Sequence, residues 1–239
     1  MTTAGSMQTV DLTDWRFALG SDPRLSGTPL EELPETFKFS SAIELLKYLA
    51  HDDTQQGAFQ NRIRERLRAD PIARKWHKLR TPIGATTHFR SYRRNPKYQT
   101  YHDAAAAIAT GHAAAAQYEL VQGLDAEIAS SRVIVPAGQM FFHGRGNREL
   151  DALMPYHSFV STSLDPTVSI YHAIKRQAQR TGVRATIYAL TLELPLPAMW
   201  GNGGGLNEWE LLLQTRLACN FTRHHAQGRF DIIEASIRP

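Results

Sequence analysis

The sequence predicts an α+β protein in which helices come first and strands follow. Residues 40–129 carry helix caps, helical spacing of apolar residues and an alanine-rich run. Residues 131–239 instead contain short β-branched and aromatic runs separated by turn residues. A single helix interrupts these runs, so the chain lacks the strand–helix alternation of a doubly wound parallel sheet, and α+β is the better class.

The helical half begins after an irregular lead-in. Residues 1–39 are rich in Thr, Ser, Pro and Gly and show no sustained periodicity. Ser41 and Glu44 form a capping-box pair, which predicts that the first helix begins at this point. A second helix is predicted over residues 58–69.

A third helix and a basic loop follow. Asp70 and Pro71 suit the N-cap and first position of a helix that ends at Pro82. Residues 81–98 contain β-branched and aromatic residues without a helical period, so they are predicted to form a basic, irregular segment. The alanine-rich stretch over residues 104–129 predicts one or two further helices, because alanine has the highest helix propensity.

The second half is predicted to be mainly strands. One helix enters at Asp165-Pro166 and runs to about Arg180. The strand-like runs are 133–135, 139–143, 159–162, 186–194, 208–213, 217–222 and 230–236. Together these elements divide the chain into a lead-in (1–39), a basic helical lobe (40–100) and a strand-rich domain (101–239).

Charge is distributed unevenly along the chain. Its 239 residues include 27 Lys and Arg and 23 Asp and Glu, for a net charge of +4. The segment Arg62–Lys97 holds twelve of the basic residues and two of the acidic ones, so it carries +10 and the rest of the chain −6. Such a block is typical of a site for an anionic partner, although a solvated helix face or an internal partner for the acidic remainder explains it equally well.

Composition also excludes several classes of protein. The one cysteine, Cys219, excludes an internal disulfide and a thiolate-rich zinc site, and no metal site is predicted. There is no apolar run of about 18 residues and no Sec-type signal, so we expect no membrane span. We expect a cytoplasmic protein, or one delivered into the cytosol of a target cell by a non-Sec route.

Three short segments of the second half carry the chemistry. The first contains His143, Gly144 and Arg145 at the end of a strand, where the glycines would let a ligand approach the backbone. The second is the strand Ser161-Thr162-Ser163. In the third, a glycine-rich loop leads into Glu208-Trp209-Glu210, whose two carboxylates point to one face of a strand because strand side chains alternate. Paired carboxylates suit reactions through an oxocarbenium-like transition state.

The order and spacing of these segments resemble the mono-ADP-ribosyltransferase family, in its toxin-type branch. The signature of that family is Arg or His, then Ser-Thr-Ser, then Glu-x-Glu. The resemblance covers about residues 100–238. It implies that residues 101–239 form a catalytic domain built as a split β-sandwich of two antiparallel sheets, with NAD as co-substrate in the cleft between them.

The resemblance also implies roles for individual residues. Ser161, Thr162 and Ser163 would brace the NAD site and its catalytic strand. Glu210 would hold the nicotinamide-ribose hydroxyl and stabilise the developing positive charge, and Glu208 would orient or deprotonate the acceptor. The loop from Trp200 to Asn207, together with Trp209, would be the substrate-recognition turn.

The first motif departs from the usual aromatic-Arg-Gly. Here Phe142-His143-Gly144 stands in its place, so His143 is the favoured contact to the NAD ribose. Arg145 is an alternative or a second contact, since only arginine brings a permanent charge toward the pyrophosphate.

The acceptor is left open between two classes. The Glu-x-Glu form resembles the arginine-modifying members, which favours a protein arginine. Aromatic residues interleaved with the basic segment instead suit single-stranded nucleic acid; they are Trp76, Phe89, Tyr92, Tyr98 and Tyr101. An inactive binding module is a third reading. The resemblance to toxins also implies a cognate immunity protein or antitoxin.

Overall fold

The computed structural model confirms the α+β class. It describes residues 8–9, 41–51, 86–94, 97–131, 133–145, 158–164, 166–177, 184–201 and 210–239. Within these ranges the helices are α1 (Ala42–His51), α2 (Thr87–Tyr92), α3 (Lys97–Ala109), α4 (Ala115–Ala129) and α5 (Pro166–Gln177). The strands of the same ranges are β1 (Gln8–Thr9), β2 (Val133–Val135), β3 (Met140–Arg145), β4 (Val160–Ser163), β5 (Ala185–Leu192), β6 (Leu196–Gly201), β7 (Glu210–Leu213), β8 (Ala218–Gln227) and β9 (Phe230–Arg238).

The described strands hydrogen-bond in the order β1-β2-β6-β7-β4-β3-β5-β9-β8. Neighbours are antiparallel except for the pairs β1–β2 and β5–β9, which are parallel. The expected division into two antiparallel sheets is not confirmed, because β3 and β4 connect the two halves. That connection is narrow: it consists of one residue pair, Phe142 with Ser163, whereas β3 pairs with β5 along its whole length.

Both halves of the sheet share one apolar core. Trp200 and Leu213 of the β6–β7 half belong to the same buried cluster as Phe141, Tyr188 and Ile233 of the β3–β5–β9 half. Residues from distant strands can meet in this way only if the sheet curves around the cluster. The chain therefore buries its main core on one face of a curved sheet.

The helices cover the other face. Met199 and Leu212 point away from the main core, as strand alternation requires, and pack with Phe89 of α2, Tyr101 of α3 and Leu124 of α4. Helix α5 lies on β3, β4 and β5, at the other side of the narrow connection. The outer face is thus covered by α2–α4 on one side and by α5 on the other.

Several sequence-based predictions of secondary structure are confirmed. Helix α1 begins after Ser41, whose Oγ accepts a hydrogen bond from the Glu44 amide at 3.3 Å, as the capping pair predicts. The alanine-rich helices and the helix entered at Pro166 are present, and the predicted strand runs each contain a strand in their described part. The helices predicted over 58–69 and 70–81 lie outside the described residues.

The prediction of an irregular segment over residues 81–98 is wrong where the structure describes it. Helix α2 occupies Thr87–Tyr92, and α3 begins at Lys97, so the suggested boundary between residues 100 and 101 falls inside a helix. A contact from another helix explains α2: the Glu127 carboxylate of α4 accepts the amide N–H groups of His88 and Phe89 at 2.9 and 2.7 Å. These are two of the N–H groups that a helix start leaves without an internal partner.

Strand β6 is a second difference from prediction. The sequence pattern predicts no strand over Leu196–Gly201, and the family resemblance implies that Trp200 belongs to a recognition turn. Its side chain is instead buried in the main core, with 3% of the residue exposed. Pro195 directly before the strand and Pro197 within it weaken the strand pattern, and pairing with β2 and β7 compensates for this.

Candidate active site

An open cleft of about 110 Å³ lies where the sheet is narrowest, between α5 and the start of β7. Its lining combines hydroxyls, imidazoles and one carboxylate. The lining residues are Phe142, His143, Gly144, Ser161, Thr162, Ser163, Val168, Ser169, His172 and Glu210. The three motif segments of the sequence, taken where they are described, therefore converge on one cleft.

Glu210 is the carboxylate of this cleft. It is the first residue of β7 and pairs in register with Ser163 on one side and Gly201 on the other. The residue is 8% exposed, and its Oε1 accepts a hydrogen bond of 2.6 Å from Ser161 Oγ. Burial makes any charge contact to this group stronger than it would be in water.

The three residues of the Ser-Thr-Ser strand do different things. Ser161 and Ser163 lie on the Glu210 face of the sheet, because cross-strand partners share a face and positions alternate along a strand. Thr162 points to the opposite face, and its Oγ1 donates to the backbone oxygen of Leu211 at 2.9 Å. Ser161 thus orients the carboxylate, while Thr162 ties β4 to β7.

His143 and Arg145 form one hydrogen-bonded unit. The Nδ1 atom of His143 lies 2.6 Å from the carbonyl oxygen of Ser161, and Arg145 Nε donates to His143 Nε2 at 3.2 Å. A carbonyl oxygen only accepts, so Nδ1 carries the proton, and Nε2 of the neutral ring then accepts from Arg145. His143 lines the cleft, and Arg145 is connected to the cleft through its hydrogen bond to the His143 ring.

Gly144 has a different use from the one expected. A Cβ atom at this position would lie 1.9 Å from the carbonyl oxygen of Ser169 and 3.0 Å from the amide nitrogen of Ala173. The glycine therefore allows helix α5, rather than a ligand, to lie directly on β3. This close packing brings Ser169 and His172 to the edge of the cleft.

Arg93 is a site residue that the sequence reasoning missed. It caps the C-terminus of α2, and its guanidinium forms an ion pair with Glu210 Oε2. The two side chains are only 10% and 11% exposed. In the sequence Arg93 is one of twelve cations in a basic segment; the spacing of Phe89 and Tyr92 is the one signal that places a buried helix face beside it.

His172 and Ser169 were missed as well. Both come from α5, a helix that the sequence predicts without connecting it to the cleft. Their spacing of three residues places them on one helix face. No sequence pattern links that face to β3, because the contact depends on Gly144.

The other predicted site residues do not meet in this cleft. Glu208, Asn207 and Trp209 lie outside the described residues, so their expected roles stay predictions. Trp200 belongs to the main core and is 3% exposed.

The aromatic residues of the basic segment are mostly buried. Phe89, Tyr92 and Tyr101 are at most 4% exposed and pack against the sheet, whereas Tyr98 is 39% exposed. Trp76 lies outside the described residues. Three of the five rings that suggested base stacking are therefore inaccessible to a nucleic acid.

Neither a metal-binding cluster nor a membrane-spanning helix occurs in the described part of the chain. No group of three or more His, Cys, Asp or Glu side chains there is arranged to hold a metal ion. No helix among those residues has the length and apolar character needed to cross a membrane.

The chain is similar to solved structures of ADP-ribosylating proteins. The Vis toxin, an ADP-ribosyltransferase from Vibrio splendidus, is 13% identical with a TM-score of 0.45, and the match covers 84% of this chain and 88% of the toxin. An ADP-ribosyltransferase from Clostridium botulinum is 14% identical with a TM-score of 0.45, covering 70% of this chain and 90% of that one.

A third similar structure is BECa, an ADP-ribosylating toxin of a binary enterotoxin of C. perfringens, solved with NADH. It is 14% identical with a TM-score of 0.46, covering 70% of this chain and 48% of BECa. No family model and no curated protein matches this chain. The three solved structures named here are all ADP-ribosylating proteins.

Proposed function

We propose that this protein is an NAD-dependent mono-ADP-ribosyltransferase that transfers ADP-ribose to a protein arginine. One observation carries the proposal: Ser161 and Glu210, far apart in the sequence, are hydrogen-bonded in a cleft that His143 also lines. These residues come from the three segments that resemble the family signature. A toxin or effector role, with an immunity protein in the producing cell, rests on that resemblance alone.

The cleft suits part of an NAD molecule. Its volume of about 110 Å³ is smaller than the roughly 300–1,000 Å³ of a site that encloses a whole drug-sized ligand, so the cleft accommodates only part of the dinucleotide. The hydroxyls of Ser161 and Ser163 offer hydrogen bonds to ribose hydroxyls, and Glu210 offers the negative charge. His143 would contact a ribose by exchanging one of its two present partners, Ser161 O or Arg145. When bound, NAD supplies an ADP-ribosyl group attached to a cationic nicotinamide leaving group.

Glu210 would provide the electrostatic contribution to the reaction. Because nicotinamide leaves as a neutral ring, the protein need not protonate a leaving group. It must hold a fixed negative charge where positive charge develops on the ribose. A carboxylate that is buried and oriented by Ser161 meets this requirement without reorganising.

The identity of the acceptor has weaker support than the reaction itself. Glu208 would orient an incoming guanidinium, by resemblance to arginine-modifying enzymes. A nucleic-acid acceptor is the second candidate, favoured by the exposed cations Arg90 on α2, Arg94 just after it and Lys97 at the start of α3. Burial of three of the five aromatic rings counts against this candidate. The inactive-module reading is disfavoured by the intact contact between Ser161 and Glu210.

Two carboxamide variants test the reaction. Glu210→Gln should lower both NAD hydrolysis and transfer by about 100-fold or more, since a preorganised charge contact is typically worth that much. Glu208→Gln should lower mainly transfer. Glu119→Gln, at an exposed position of α4, is the matched control and should behave like the wild type. Normal hydrolysis by Glu210→Gln would show that the proposed mechanism is wrong.

The acceptor is tested with labelled NAD and a cell lysate. Products are divided between protease and nuclease digestion, and release of the label by hydroxylamine marks an arginine linkage. Label lost to protease supports the protein acceptor. Label that survives protease but is lost to nuclease would replace it with the nucleic acid, and absence of nicotinamide release would favour the inactive module.

A further inference from the structure

We propose that Arg93 is a positioning residue for Glu210, which keeps the carboxylate ionised and fixes its orientation in the cleft. The inference rests on the proposed function, in which Glu210 must carry a negative charge. It concerns a residue outside the three motif segments, located in the basic part of the chain.

The carboxylate of Glu210 is held at both oxygens. Ser161 Oγ donates to Oε1, and the Arg93 guanidinium pairs with Oε2. Two partners on opposite oxygens restrict rotation of the carboxylate about its terminal bond. An ionised carboxylate has about four acceptor sites, so these two contacts leave room for a ribose hydroxyl.

Arg93 is itself held by the packing of α2. Phe89 and Tyr92 of this helix are buried against the sheet, and Glu127 binds the helix at its N-terminus. Gly201, the register partner of Glu210, permits this approach: a Cβ there would lie 3.0 Å from Phe89 Cζ and 3.6 Å from Arg93 Cζ. The side-chain entropy of a long arginine is thus largely lost on folding, before any ligand binds.

The surroundings of Glu210 make Arg93 its principal permanent cation among the described residues. The neighbours of Glu210 on β4 are the uncharged Ser161 and Ser163. The half-buried His172 of α5 lines the same cleft. From β3, His143 lines the cleft with its ring engaged by Ser161 O and Arg145. Arg145 donates to the His143 ring, whereas Arg93 pairs with the Glu210 carboxylate itself.

A cation beside a carboxylate favours the ionised form, and removing it from a poorly hydrated site favours protonation. Arg93→Gln should therefore move the acid limb of the kcat/KM profile for NAD hydrolysis to higher pH by about one unit or more. At pH 8, kcat should fall roughly 10-fold while KM changes little, because the effect passes through Glu210.

Two further variants separate charge from geometry. Arg93→Lys keeps the charge but not the planar fork, so its acid limb should stay near that of the wild type while kcat is reduced. Arg90→Gln removes an exposed cation from α2 and should change neither the acid limb of the pH profile nor kcat. If Arg93→Gln does not fold, Arg93→Lys still tests the inference, since a wild-type kcat in that variant would overturn the positioning role.

A measurement without turnover completes the test. The side-chain carboxyl carbon of Glu210 is titrated by NMR in protein labelled at glutamate and is assigned by its loss in Glu210→Gln. Its midpoint should rise in Arg93→Gln and not in Arg90→Gln; an unchanged midpoint would overturn the inference. A raised KM at constant kcat would also overturn it, because Arg93 would then bind the nucleotide directly.

The two proposals can fail separately. A wild-type protein that neither hydrolyses nor transfers NAD would refute the proposed function, whatever the NMR result. An active wild type whose acid limb and Glu210 midpoint do not respond to Arg93→Gln would leave the function in place and refute the role of Arg93.

Discussion

Gly144 allows a strong test of how the cleft is built. In Gly144→Ala the new Cβ would lie 1.9 Å from the carbonyl oxygen of Ser169, whereas ordinary van der Waals contact begins at 3.4 Å. Strand β3 and helix α5 would therefore have to separate by about 1.5 Å. The atoms that block the methyl group belong to the helix backbone, so no side-chain rotation relieves the overlap.

The size of the effect follows from this geometry. Overpacking usually costs about 1–3 kcal/mol, and contact with rigid backbone places Gly144→Ala near 3 kcal/mol. For a chain of this size that corresponds to a fall in Tm of roughly 6–12 °C. Ser169 and His172 would move away from the opposite wall of the cleft, so NAD affinity should also decrease.

The assay is urea unfolding followed by circular dichroism, with the slope m compared between variants to confirm a common unfolding transition. Gly123→Ala is one control: its Cβ would meet the tip of the His88 ring, which can rotate, and alanine raises helix propensity by about 1 kcal/mol. Its stability should stay within about 1 kcal/mol of the wild type.

A second control measures the backbone contribution alone. Gly111 has a φ of 73° and nothing within 4 Å of an added Cβ atom, so Gly111→Ala should cost about 1–2 kcal/mol through conformation only. If Gly144→Ala lost no more stability than Gly111→Ala, the close contact between β3 and α5 would be refuted.

Two other predictions concern stability. The Asp125 carboxylate of α4 accepts hydrogen bonds from the amide and the hydroxyl of Thr215 at 2.9 and 2.5 Å. Asp125→Ala should therefore lower the free energy of unfolding by about 2–3 kcal/mol in the same urea assay. The control is Asp103→Ala, at an exposed position, which should cost less than about 0.5 kcal/mol. Burial raises the pKa of the Cys219 thiol to about 11, so this thiol should resist a maleimide at pH 8 until the protein unfolds. The raised pKa disfavours the folded state only at a pH where the thiol of the unfolded chain ionises. The wild type should therefore lose stability relative to Cys219→Ala as the pH rises from about 9 to 11. Rapid maleimide labelling of the native protein, or equal stability profiles of the two proteins over this pH range, would contradict the burial of the thiol.

Local patterns predicted the elements well where short-range forces decide them. Ser41 caps α1, the alanine-rich run forms helices, and the alternation of the Ser161–Ser163 strand places two hydroxyls on one face. Helix α2 was not predictable in this way, because its N-terminal amides are satisfied by Glu127 from a helix much later in the chain. Strand β6 depends in the same way on its neighbours β2 and β7.

The chain by itself determined the order of helices and strands and the identity of the chemical groups, since caps, propensities and strand alternation act over a few residues. Only the tertiary structure decided that Arg93 contacts Glu210, that Gly144 serves helix packing, and that Trp200 lies in the core. Such contacts join residues distant in sequence and depend on how a curved sheet and its helices pack. The basic segment illustrates the difference: its composition left an anionic partner and an internal partner for the acidic residues equally open, while its fold directs one of its cations to a carboxylate of the same chain.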